Sequence, residues 1–141
     1  MARHVNEETE TLLVVDDDEA IRGLEVRALR HLGYKVLEAE GPVKAMRLAI
    51  ATPAIHLLLT DFWMPEGTGL ELTRRFRTLH PKTPVLMVSG CLQAIDRLAA
   101  HRAWFGVLAK PFTQIDLAHW VRTLLSGATN QPRRSHFTAL P

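Results

Sequence analysis

Asp16, Asp17, Asp18, Glu19, Asp61, Ser89 and Lys110 are the residues of this chain whose types and positions suggest chemistry. Each stands where a short apolar run stops. "TLLVVD" runs into the acids at 16–19, "AIHLLLT" into Asp61, "PVLMVS" ends on Ser89, and "WFGVLA" leads into Lys110-Pro111. If those runs are strands of one parallel sheet, their ends share an edge, and carboxylates, a hydroxyl and an amine meet there. Clustered carboxylates repel one another and lose hydration, so a compensating charge is required. An all-oxygen set with few protein ligands suits Mg²⁺, which keeps waters and accepts phosphate oxygens. With the sign of the field reversed by the ion, a phosphoryl group becomes welcome. Asp61 is then a nucleophile toward phosphorus, with Lys110 and Ser89 to neutralise and hydrogen-bond the transferred oxygens. The same loop excludes a nucleotide cofactor. Phosphate-cradling folds place glycines after the first strand, and here that loop is "DDDE".

The elements that must position these groups follow from periodicity. The apolar, β-branched runs read as strands buried on both faces. Between them lie helical patterns. "DDEAIRGLEVRALRHLG" puts Ile21, Leu24, Ala28, Leu29 and Leu32 at helical spacing, with acids in its first turn and Gly33 as a stop. "YKVLEA" is a second strand, "PVKAMRLAIAT" a helix opened by Pro42 and "GLELTRRFRTLH" another. A weaker helix is expected over residues 92–102. The last, "QIDLAHWVRTLLS", has Leu117, Val121, Leu124 and Leu125 as its apolar face. Trp120 lies beside that stripe, and both a surface and a core position stay open for it. Strand–helix alternation, five times over, predicts a doubly wound (βα)5 domain with helices on both faces of a parallel sheet. Ligands in such folds sit outside the carboxyl ends of the strands.

Composition bounds the rest. The chain has 141 residues, enough for one domain with a real core. We expect a flexible segment over 1–10, the folded domain over 11–126 and a disordered tail over 127–141. Of 17 basic residues, Arg133 and Arg134 lie in that tail, which has no acid, so the remaining 15 balance 15 acids. No basic face for nucleic acid is indicated. No apolar run is long enough to span a membrane, and the single Cys91 fits a reducing cytoplasm. The seven histidines show no metal-ligand spacing.

Four stretches in order, "LLVVDDDE", "LLLTDFWMPEGTGLEL", "PVLMVSG" and "VLAKPF", make residues 10–126 resemble the receiver domain of two-component response regulators. The resemblance implies a flavodoxin-like three-layer sandwich with a five-stranded sheet of order 2-1-3-4-5. It implies Asp61 as phosphoacceptor, and Mg²⁺ held by Asp16, Asp17, Asp61 and the backbone carbonyl of Trp63. Ser89 becomes the switch hydroxyl and Lys110 the phosphate-binding amine, with a cis Lys110–Pro111 bond. Asp18 is left to cap the first helix. The implied partners are a sensor histidine kinase or histidine phosphotransfer protein and a downstream protein target; a homodimer would use the last helix–strand–helix face. The short segment after the last helix leads us to expect a single-domain regulator acting by protein contact or phosphorelay, while "VLMVSG" and "VLAKPF" also resemble receivers attached to hybrid sensor kinases, which leaves a receiver module of such a kinase open. Its first helix, where the donor's helix docks in receivers, carries Gly23 beside Ala20.

Two positions depart from the family pattern. Val107 stands three residues before Lys110, where receivers usually have Tyr or Phe. Trp63 stands two residues after Asp61, where, with Cys91, it would govern water access to a phosphoaspartate. Two other readings remain: a receiver-like interaction module that takes no phosphate, favoured only by Val107, and an aspartate-nucleophile phosphohydrolase. The latter normally needs a second aspartate where Trp63 stands.

Overall fold

The computed structural model describes residues 9–91, 93 and 105–127. The elements are β1 (Thr11–Val15), α1 (Glu19–His31), β2 (Lys35–Ala39), α2 (Pro42–Ala51), β3 (Leu57–Asp61), β4 (Trp63–Met64), β5 (Gly67–Thr68), α3 (Gly69–Leu79), β6 (Val85–Ser89), β7 (Phe105–Ala109) and α4 (Gln114–Leu125). Five strands form one sheet in the order β2-β1-β3-β6-β7, every pair parallel. Leaving out the two-stranded β4-β5 ribbon, that is the 2-1-3-4-5 order of a flavodoxin-like fold. The helix expected over 92–102, Trp104, and nearly all of both terminal segments lie outside the described residues.

The strands read as continuous apolar runs because both sheet faces are covered. Successive residues face opposite sides. Leu13, Val15, Leu58, Val85 and Met87 pack with Ala45 and Ala49 of α2 and Leu72 and Phe76 of α3. Leu12, Val14, Leu57, Leu59, Leu86 and Val88 pack with α1 and α4. The helices begin where their caps dictate. Asp18 Oδ1 accepts from the Ile21 N–H at 3.0 Å, as expected of it. Thr68 with Glu71, and Thr113 with Asp116, form reciprocal capping boxes for α3 and α4.

Helix α1 departs from its expected stripe. Leu24 and Leu32 are exposed, and the buried residues are Glu25, Val26 and Leu29. Of the expected stripe, Leu29 is buried and Ala28 packs against the core. Glu25 and Val26 join them where Leu24 and Leu32 were expected, and Arg22 reaches Asp16 and Glu38 from the same side. Two charged residues hide this face from a reading of apolar spacing. On α4, Leu117, Val121 and Leu124 are buried as expected, and Trp120 joins them. Its indole lies against Gly106 on β7, where an added Cβ would run into three ring carbons. A core role for Trp120 is therefore the outcome. Gly106→Ala is expected to lower unfolding free energy by about 1–3 kcal/mol through overpacking, read from urea denaturation. An unchanged midpoint would mean that the indole yields without cost.

Candidate functional site

The sheet register brings the sequence-predicted residues to one edge. Val15 pairs with Thr60, so the next residues, Asp16 and Asp61, leave their strands side by side. Asp61 pairs with Val88, and Ser89 with Ala109, which precedes Lys110. Asp16, Asp17 and Asp61 each offer a carboxylate oxygen, and the three atoms lie within 4.8 Å of one another. Lys110 Nζ stands 2.9 Å from Asp61 Oδ1 and 3.9 Å from Asp16 Oδ2. Its backbone N–H donates to the Ser89 carbonyl at 2.9 Å, and the Lys110–Pro111 bond is cis. Ser89 is buried, and its Oγ accepts from the Cys91 N–H at 3.0 Å.

Three carboxylates against one ammonium leave two negative charges in excess, and the electrostatics reflect it. Burial raises the Asp61 carboxyl above its ordinary range, the Lys110 hydrogen bond opposes this, and Asp17 adds to it. Asp16 is raised too, first by burial, against the hydrogen bond its Oδ1 accepts from the Asp18 N–H. For Lys110, burial pulls downward, but Asp61, Asp16 and Glu25 together outweigh it and strengthen its hold on the proton. An ordinary ion pair would lower its acid, and here the acids rise because burial outweighs a cation that is shared between them. Asp16 Oδ2 is buried without a hydrogen-bond partner. A buried carboxylate oxygen that accepts no hydrogen bond is costly, and together with an all-oxygen donor set it fits a hard divalent cation.

The loop after Asp61 is a miniature antiparallel ribbon in which Trp63 pairs with Thr68 and Met64 with Gly67. Gly69 closes it, its N–H donating to the Phe62 carbonyl at 2.7 Å. A Cβ there would collide with the Asp61 carbonyl oxygen and with Met87. The Trp63 ring is 57% exposed and meets Phe62 edge-on at 4.7 Å. Val107 is buried among Leu58, Phe62, Met87 and Phe105, so no ring occupies its position.

The response regulator receiver domain family matches residues 12–122. The chain belongs to this family. Among curated relatives it is 37% identical over 117 residues to the sensor kinase CckA of Brucella abortus, covering 82% of this chain and 12% of the kinase. Four of the curated relatives it matches are covered over only 12% to 51% of their own length. Among solved structures, the receiver domain of the hybrid histidine kinase CckA is 31% identical, with a TM-score of 0.71 over 82% of this chain and 98% of that one. The response regulator TrrA of Thermotoga maritima, solved in complex with Mg(2+)-BeF, is 25% identical with a TM-score of 0.73, covering 82% and 99%.

Three residues that matter to this receiver's site escaped the sequence reading. Gly69 was legible in principle, as a glycine four residues past Pro65 where a helix begins. Arg22 donates from Nη1 to the Asp16 carbonyl at 2.9 Å and pairs with Glu38 at 3.1 Å, bracing the acidic loop. Glu25, only 3% exposed, lies on a groove of about 470 Å³ with Leu24, Lys110, Pro111 and Phe112. Burial, then the charge of Asp16, pushes its carboxyl from 4.5 up to about 8, with Lys110 and Arg22 opposing.

A carboxyl raised in the fold favours folding fully below its unfolded value and loses that contribution as pH rises toward its folded value. Between 4.5 and about 8, Glu25 should therefore erode stability by up to about 1.4 kcal/mol per pH unit. Glu25→Gln is expected to flatten that slope and to be more stable than the parent at pH 9, measured by urea denaturation at several pH values in a chelator. Parallel pH profiles for the two proteins would refute this.

Proposed function

We propose that the chain takes a phosphoryl group from a phosphohistidine onto Asp61 in a Mg²⁺-dependent reaction. The observation carrying this reading is the Lys110–Asp61 contact of 2.9 Å inside a trio of carboxylates with two negative charges in excess. An Asp61 carboxylate oxygen attacks phosphorus in line with the histidine nitrogen. The P–N bond breaks, its electron pair stays on the imidazole, and an aspartyl phosphate results. Lys110 and the Ser89 hydroxyl then bind oxygens of the transferred group, since phosphoryl transfer asks chiefly for position and charge. Asp16, Asp17, Asp61 and the Trp63 carbonyl would hold Mg²⁺, which when bound neutralises charge on the phosphoryl oxygens. The Mg(2+)-BeF complex of the Thermotoga relative supports that assignment by analogy. Hydrolysis of the aspartyl phosphate by water ends the signal.

The partners in this reading are a sensor histidine kinase or histidine phosphotransfer protein as donor, and a protein that recognises the phosphorylated state or receives the group onward. The setting is cytoplasmic. No helix among the described residues is long and apolar enough to cross a membrane. A phosphohydrolase is disfavoured because its second aspartate is replaced by Trp63.

Intact-protein mass after incubation with acetyl phosphate tests the proposal. A gain of one phosphoryl group is expected with Mg²⁺, absent without it and absent in Asp61→Asn. No gain from either acetyl phosphate or a phosphorylated histidine kinase would favour an interaction module that takes no phosphate. In the same assay, Trp63→Asn is expected to shorten the aspartyl phosphate lifetime; an unchanged lifetime would rule out shielding by the indole.

A further inference from the structure

We propose that Glu66 is a positioning residue: it ties the Trp63–Thr68 ribbon to the start of α2 and so sets where the Trp63 carbonyl stands. This rests on the reading above, in which that carbonyl is a metal ligand. Helix α2 opens without a cap of its own. Its N-cap is Gly41, which has no side chain, its first position is Pro42, and its first turn carries no acid. A helix start exposes N–H donors and a partial positive charge, both of which favour a carboxylate. Glu66 supplies one from outside. Its Oε1 accepts from the Val43 N–H at 3.4 Å, across 23 residues of chain. Val43 is the second helical residue, where a cap side chain ordinarily binds.

Gly41 supports the pairing from the other side. Its φ of −175° is extended backbone open to any residue, so conformation does not call for glycine. A Cβ at Gly41 would lie 2.6 Å from Glu66 Oε1, so any side chain there would push the exposed carboxylate off the helix start. The ribbon's far end is fixed by the Thr68–Glu71 capping box of α3, at 3.0 and 3.1 Å. Glu66 lies between the two ribbon strands, so its bond to α2 is a second anchor. With both ends held, the ribbon presents the Trp63 backbone in one place beside Asp61.

The test is Mg²⁺ affinity, followed by backbone amide NMR shifts of residues 16–18 and 61–64 in the parent, Glu66→Ala, Glu66→Gln and Gly41→Ala, with melting temperatures recorded without metal. Glu66→Ala is expected to weaken Mg²⁺ binding by roughly tenfold, the scale of a lost supporting contact. Gly41→Ala should do the same by displacing the carboxylate, although it removes no polar group. Glu66→Gln, whose amide oxygen still accepts from Val43, should recover most of the affinity. Affinities of the alanine variants within about twofold of the parent would overturn the proposal, even if their melting temperatures fall, because a helix cap alone predicts that. A parent protein that shows no Mg²⁺-dependent shift would overturn the metal reading and this inference together.

Discussion

Excess negative charge at one edge of the sheet is the constraint around which this receiver is arranged. Three carboxylates converge there, two of them buried, and the one lysine at the site bonds directly to Asp61. Such a cluster is stable only if its anions are shared with cations, hydrogen-bonded or protonated. All three devices are present. Lys110 divides itself between Asp61 and Asp16. Backbone N–H groups bind Asp16 and Asp18. Burial holds the Asp16, Asp61 and Glu25 carboxyls toward their neutral forms. Asp16 Oδ2 is the least provided for: it is buried, has no hydrogen-bond partner and meets Lys110 only at 3.9 Å. An all-oxygen edge with negative charge left over fits a divalent cation, since a site already neutral would have nothing to gain from one.

The fold concentrates this charge at little conformational cost. A parallel sheet delivers all its strand ends to one edge, so residues more than ninety positions apart meet without any long reach of side chains. The rest of the chain keeps that edge in register. Arg22 braces the acidic loop through a backbone carbonyl, and Gly69 lets helix α3 start against the backbone of Asp61. Neither contacts a carboxylate of the cluster, and each sets the backbone position of a residue that carries one.

Sequence reading found what repeats and what stands at the end of a repeat. The five sheet strands, the Asp18 cap and the convergence of Asp16, Asp61, Ser89 and Lys110 were legible because dry strands are apolar throughout and their ends are abrupt. What was lost is informative. The inward stripe of α1 escaped because Arg22 and Glu25 serve the site from a face that apolar spacing marks as solvent. The β4-β5 ribbon escaped because strands of two residues have no period. The place of Trp120 depended on Gly106, a contact between α4 and β7 that neither residue announces. The bond from Glu66 to α2 joins two loops whose individual sequences read as ordinary turns.

Strand β7 limits how an event at Asp61 can spread. On one face Gly106 is filled by the Trp120 indole, which fixes α4 against the strand. On the other, Val107 is buried among Phe62, Met87 and Phe105. A β-branched side chain has few rotamers and no long lever, so the swing of an aromatic ring at this position is unavailable to this receiver. Lys110 is tied instead to the end of β6: its own N–H binds the Ser89 carbonyl, and the Cys91 N–H holds the Ser89 hydroxyl. Those bonds make the turn after β6 the mechanical neighbour of the charge centre.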